Sequence, residues 1–229
     1  MSKLLNILAP AAVLLLAASC SRSSEWHVKG NVEGGADKTM LLEASSNGHW
    51  YPIDTVTIAS NGSFEASQPA AGYPDIYRLN LDGKTIYFPI DSIETVTVST
   101  KAGAFDTDYT VEGTASADML MNVDNRIQQA INAHNSGDLT ADTSLKHDLT
   151  ETLLADPSGI VAYYIICKSV NGRPIFSPAV KSDLRIIGAV ANAYSEKRPA
   201  DPRTAYLKNL FLSNKPRNIT VSDSITADE

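Results

Sequence analysis

The chain has 229 residues, 43% of them apolar and 20% charged, with a net charge of −7, values ordinary for a globular protein. That acidic balance argues against nucleic acid as a partner, because phosphate backbones are held by basic surfaces. Beyond Cys20 no apolar run reaches the roughly 20 residues that a membrane-spanning helix needs.

The first stretch is of another kind. Lys3 precedes an apolar run over 4–18 that only Asn6 and Pro10 interrupt, and Ala17, Ala18 and Ser19 lead into Cys20. A positive start, an apolar centre and a small-residue end describe a secretory signal peptide over 1–19. The ending resembles a bacterial lipobox, with Ala17 where most lipoboxes carry leucine. The resemblance implies cleavage before Cys20 and acylation of its thiol and new amino group. The membrane then becomes a partner through the lipid on Cys20, two or more acyl chains holding far better than one. Residues 20–25 form a lipidated tether. Glu25 is its one acid, whereas surface-exported lipoproteins often carry an acidic run there. The expected place is therefore the cell envelope, at the outer membrane, with its periplasmic face favoured over the cell surface and both faces open. About 210 residues remain after cleavage, enough for one large or two small domains. With Cys20 acylated, Cys167 stands alone, so the mature chain has no internal disulfide and no Cys-x-x-Cys pair.

From Trp26 the pattern has period two. Trp26, Val28 and Val32 alternate with His27, Lys29 and Asn31, which predicts a half-buried strand. Further strands are expected over 39–44, 51–58, 63–66, 76–81, 84–90, 93–99 and 109–112. Between them stand Gly34-Gly35, Asn47-Gly48, Asn61-Gly62 and Asp82-Gly83, which are turn and hairpin signals. Seven or eight short strands at this spacing predict an antiparallel sandwich or barrel.

At Gly113 the period changes. Thr114 or Ser116 can cap a helix over 117–132, with Leu120, Val123, Ile127 and Ile131 on one face. Asn135-Ser136-Gly137 closes it. A second helix is expected over 142–154, with Leu145, Leu149 and Leu153 four apart. Asp156-Pro157, Ser177-Pro178 and Asp201-Pro202 each pair a capping oxygen with a proline suited to the first helical position. They predict helices over 157–170, 178–194 and 202–212. The fold class is therefore α+β by domains. An antiparallel β domain over 26–115 is followed by an α-helical domain of four to five helices over 116–213 and a flexible tail over 214–229.

Charge is uneven. Residues 21–116 carry six basic and thirteen acidic side chains, residues 168–217 ten basic and three acidic. The basic excess can attract the first half, an acidic partner or anionic lipid; the plainer reading is solvated helix faces. Lys197, Arg198 and Arg203 are the candidate partner-binding basic face.

The order Trp26 to Val32, Ile53-Asp54-Thr55-Val56-Thr57, Asn61-Gly62-Ser63-Phe64 and Tyr109 to Thr114 resembles a known arrangement. It is similar to the domain of unknown function at the N-terminus of Bacteroidetes lipoprotein thiol–disulfide oxidoreductases of the TlpA/ResA type. Asp156-Pro157-Ser158-Gly159 and Asp201-Pro202-Arg203-Thr204 resemble the helical region that follows it there. In that family a thioredoxin-like domain comes next, whose paired cysteines attack and resolve a mixed disulfide. No residue of this sequence matches either cysteine, so the activity is not carried over.

Other chemistry finds little support. Cys167 follows Tyr163, Tyr164, Ile165 and Ile166 and reads as a small packed hydrophobe. His27, His49, His134 and His147 lack ligand spacing, so no metal is expected. Asp106 and Asp108 read as a solvated turn. Trp26, Trp50 and Tyr51 can form an aromatic platform for sugar or peptide, with core or edge packing the favoured reading. Asp54-Thr55-Val56, Asp91-Ser92-Ile93 and Asp223-Ser224-Ile225 resemble Bacteroidetes O-glycosylation sites, and Ser224 is the one expected to be exposed. No phosphate-binding, dinucleotide or nucleophile-elbow motif is present. The expected function is a non-catalytic binding or scaffolding module without a cofactor, its ligand or envelope-protein partner unspecified. The alternative is an accessory subunit that docks a separate thioredoxin-like oxidoreductase in the periplasm. A cryptic hydrolase is the third and weakest reading.

Overall fold

The computed structural model describes residues 24–46, 48–134 and 138–215. The expected signal peptide over 1–19, Cys20, most of the expected tether, Asn47, Asn135-Ser136-Gly137 and the C-terminal residues with Ser224 lie outside the described residues.

Eight strands build the first part: β1 (Glu25–Glu33), β2 (Thr39–Ser46), β3 (His49–Thr57), β4 (Ser63–Pro69), β5 (Asp75–Leu81), β6 (Lys84–Ile90), β7 (Thr95–Lys101) and β8 (Tyr109–Glu112). They form two four-stranded sheets, ordered β4-β1-β7-β8 and β3-β2-β5-β6. The inward side chains of both sheets share one buried cluster around Trp26, with Val28, Leu42, Leu79, Phe88 and Val98. Trp26 is 0% exposed, which settles its role as core and removes it from any surface platform. The architecture is sandwich-like.

The sheets are not wholly antiparallel as expected. β1 runs antiparallel to β4 but parallel to β7, with Gly30 opposite Val98. A parallel pair needs a long crossover, and here the whole β2-to-β6 segment supplies it. Hairpin turns are visible in sequence, but nothing local marks the strand partner that lies about 70 residues away. Gly30 makes the pair possible: a Cβ on it would sit 1.7 Å from the Val98 carbonyl oxygen. At the β5–β6 turn, Asp82 and Gly83 both have positive φ, 54° and 85°, as a type I′ hairpin requires.

The second part contains α1 (Ala115–Ala133), α2 (Thr143–Ala155), α3 (Ile160–Cys167), α4 (Lys181–Lys197) and α5 (Pro202–Asn214). Thr114 caps α1 by accepting from the Ala117 N–H at 3.0 Å, and Asp142 caps α2 by accepting from Leu145 at 2.9 Å. Leu120, Val123, Ile127, Leu145, Leu149 and Leu153 are buried as their spacing predicts.

Only one of the three proline starts is a helix start. Asp201 caps α5 with Pro202 in its first turn. After Asp156-Pro157 and Ser177-Pro178 the chain first makes a reverse turn, closed by Gly159 N–H to Asp156 O and Val180 N–H to Ser177 O. α3 and α4 then begin three residues later than expected. α3 also ends at Cys167, because residues 169–170 and 173–174 pair as a small hairpin, β9 (Ser169–Val170) with β10 (Arg173–Pro174). Its turn is Asn171-Gly172, both at positive φ.

The two parts meet on the outer face of the β3-β2-β5-β6 sheet. Along β5, Tyr77, Leu79 and Leu81 enter the sandwich, while Ile76 joins the helical cluster. On β6, Ile86, Phe88 and Ile90 point inward, and Tyr87 packs against the helices. Period-two alternation thus gives this sheet two covered faces.

Candidate functional site

Where the outer sheet face and the helices fail to close completely, they leave a cleft of about 780 Å³. The β2–β3 hairpin contributes Ser45, Ser46 and Trp50, the start of β5 contributes Asp75, and β6 contributes Tyr87. The end of α3 adds Tyr163, Tyr164, Cys167 and Lys168, and the first turns of α5 add Arg203 and Tyr206. Tyr73, just before β5, stands at the rim. Five of the chain's nine tyrosines line this one space. Phenol rings that combine an apolar face with a polar tip are common at recognition surfaces.

The sheet wall is built on Trp50 and Tyr87, whose ring centroids are 5.4 Å apart in an edge-to-face arrangement. Behind them lies Arg78, 4.4 Å from the Trp50 centroid, its Nε 2.6 Å from Glu43 Oε2. Tyr87 continues to Tyr164 at 5.8 Å. Lys168 lies 4.5 Å from the Tyr87 centroid and donates to Asp124 Oδ1 at 2.9 Å. Tyr164 donates to the same oxygen at 2.5 Å. Burial first, and Asp124 second, push the Tyr164 hydroxyl well above its ordinary pKa.

The helix wall is organised by Arg203. Its side chain is only 11% exposed and its guanidinium is 5.3 Å from the ring centroids of both Tyr73 and Tyr163. Arg203 Nη2 donates to Asp75 Oδ1, and Nη1 donates to Asp201 Oδ1 at 3.3 Å. Burial opposes the charge on Arg203, but Asp75 and Asp201 outweigh it and hold the guanidinium above its usual pKa. Burial raises the Asp75 carboxyl, with Arg203 pulling the other way.

Cys167 is half-buried in the cleft wall. Burial pushes its thiol up to about 11, against hydrogen bonds from the Tyr163 and Tyr206 hydroxyls. At neutral pH it is a thiol, not the thiolate that attacks disulfides or binds metals. Its packing is therefore that of a small hydrophobe, as its sequence context suggested, but the wall it belongs to faces a cavity.

The basic trio is not a common face. Lys197 is exposed. Arg198 donates from Nε to the Ser158 carbonyl at 2.6 Å and lies 3.8 Å from Asp91. Arg203 is enclosed as described. The excess of positive charge in the later segment thus partly answers the acidic first half, through the Arg203–Asp75 and Arg198–Asp91 pairs.

Of the expected aromatic platform only Trp50 reaches the cleft. Tyr51 follows it on β3 and is 45% exposed. Tyr73, Tyr87, Tyr163 and Tyr206 carried no signal, because they come from four separate segments; tyrosine abundance was the one available hint. His134 pairs with Asp142 at 3.0 Å and His147 with Glu151 at 3.4 Å. His27 is 3.8 Å from Glu65, and His49 is exposed. Among the described residues no group of three or more metal-ligating side chains occurs. Asp108 pairs with Lys101 at 2.7 Å. Of the O-glycosylation-like sites, Thr55 and Ser92 are both exposed.

No curated protein matches the chain. A family match divides the cleft: it spans all eight sandwich strands and the first turn of α1, hence the sheet wall but not the helix wall. Residues 26–120 match the model of a family described as a domain of unknown function, DUF4369.

Proposed function

We propose that this chain is a non-catalytic binding module of the cell envelope, held by lipid on Cys20, whose binding surface is the tyrosine-rich cleft between sheet and helices. The carrying observation is the lining itself: Trp50 and five tyrosines around about 780 Å³, a size and mixture typical of ligand sites. The nucleophile nearest to hand, Cys167, is held protonated by burial, which supports binding over covalent chemistry. The protein has two tryptophans, Trp26 in the core and Trp50 in the cleft. A ligand in the cleft therefore perturbs the emission of Trp50 alone. Screening sugars, peptides and small charged metabolites should yield a ligand that changes tryptophan emission in the wild type but not in Trp50→Phe. A ligand that is turned over would overturn the non-catalytic reading, and Cys20→Ala should release the protein from the membrane fraction.

The second reading is docking to a separate thioredoxin-like oxidoreductase. It draws on the family match over 26–120 together with the resemblance of this region to the leading domain of such enzymes. It predicts association of the purified pair; its absence, with envelope disulfides unaltered on deletion, removes this reading.

A further inference from the structure

We infer that the cleft takes an uncharged sugar chain, an inference that rests on the binding-module reading above and names its ligand class. The argument starts from charge. Arg203 is matched by Asp75 and Asp201, Lys168 by Asp124, and Arg78 by Glu43. Each cation is also covered by an aromatic ring. A charged ligand would have to break one of these pairs and leave a partly buried charge without its partner, which is costly. An uncharged ligand breaks none.

The remaining lining selects among uncharged ligands. Trp50, Tyr87 and the half-exposed Tyr206 contribute aromatic rings to the lining, while Asp75, Arg203 and Ser45 add polar groups. Among the described residues, both hydrogen bonds to Asp75, from Arg203 and from the Ile76 N–H, fall on Oδ1. Oδ2 is left to accept from a ligand hydroxyl. A pyranose has what this surface lacks: an axial C–H face to lie on a ring and equatorial hydroxyls to meet a fixed carboxylate–guanidinium pair. A cleft of about 780 Å³ exceeds one sugar ring and suits a short oligosaccharide.

The test uses the full chain in a detergent without a sugar headgroup. Neutral oligosaccharides of glucose, mannose, galactose and N-acetylglucosamine are titrated by calorimetry and by Trp50 emission. Uronic-acid oligosaccharides and uncharged tetrapeptides run alongside. At least one neutral oligosaccharide should bind, and Tyr206→Ala should weaken it about tenfold. Tyr206 is 50% exposed, so its removal leaves the fold intact, and Tyr206→Phe should retain binding. Asp75→Asn should also weaken it, by removing the acceptor charge. If only uronic-acid chains or peptides bind, and Tyr206→Ala weakens them, the binding module stands and the neutral-sugar inference falls. If a neutral sugar binds with no sensitivity to Tyr206, the cleft is the wrong site. If none of the probes binds, the neutral-sugar inference falls, and the binding module rests on the wider screen with charged metabolites.

Discussion

The sandwich interior and the seam between sheet and helices are both enclosed, yet they are made of different material. The buried cluster around Trp26 is nearly all hydrocarbon, with Leu42, Leu79, Phe88, Val96 and Val98, and Tyr77 is its one buried tyrosine. At the seam the contacts are Arg203 with Asp75, Lys168 with Asp124 and Arg78 with Glu43, set among tyrosine and tryptophan rings. A close-packed carbon interior tolerates no gap, since each missing contact is lost outright. A seam of paired charges and ring edges can stay partly open, because water satisfies whatever the protein does not. That difference places the cleft at the seam and not between the sheets.

The interior is the place to expect the largest effect. Gly30→Ala puts a Cβ 1.7 Å from the Val98 carbonyl oxygen, so β1 and β7 must separate. Stability should fall by more than about 4 kcal/mol in urea unfolding. A variant with the wild-type midpoint would mean that the parallel pair can part without disturbing the core.

The seam should respond by pairs. Asp75→Ala leaves Arg203 with Asp201 alone and should cost about 3 kcal/mol. Adding Arg203→Ala should cost less than the sum of the two single changes, with a coupling of about 1–3 kcal/mol in a double-mutant cycle. Strict additivity would show that the pair is not what joins α5 to β5.

Between the regions lies α1, which packs on β6 and β8. Its cap is local, so Thr114→Ala should cost only about 1 kcal/mol, read as a small shift of the thermal midpoint.

The effect most specific to the seam is titration of Cys167. Its folded pKa is about 11 against an ordinary 9.0. The folded state thus keeps a proton that the unfolded state has lost. Stability contributed by this group is full below about 9 and declines as pH rises towards 11. Alkylation of the native protein should be slow at pH 8 and accelerate steadily up to pH 11. Rapid labelling at pH 8 would contradict the buried thiol.

How much of this could be read beforehand follows from the range of the forces. Strands β1 to β8 and helices α1 and α2 were legible, because period-two and period-3.6 patterns and Asn-Gly or Asp-Gly turns are local. The parallel pairing of β1 with β7 was not, since Gly30 gives no sign in sequence of the strand it must approach. The proline starts misled at Pro157 and Pro178 because the same Asx/Ser-Pro chemistry serves a reverse turn as well as a helix cap. The charge asymmetry was visible; its partial internal use by Arg203 and Arg198 was not, as it depends on which helix faces which strand. The cleft was hardest of all. Its rings come from β3, β6, α3, α5 and the loop before β5, and only the completed fold brings them together.

The position of β1 in the middle of its sheet has a mechanical meaning. The first strand of the described residues is bound on both sides, by β4 and by β7. A pull delivered at residue 24 cannot peel an edge; it must shear two ladders at once, which spreads the load over many hydrogen bonds. The same placement sets the order of assembly. A chain emerging from its N-terminus has β1 in hand early, but its sheet cannot close until residues 95–101 arrive, after the β3-β2-β5-β6 sheet has all its strands.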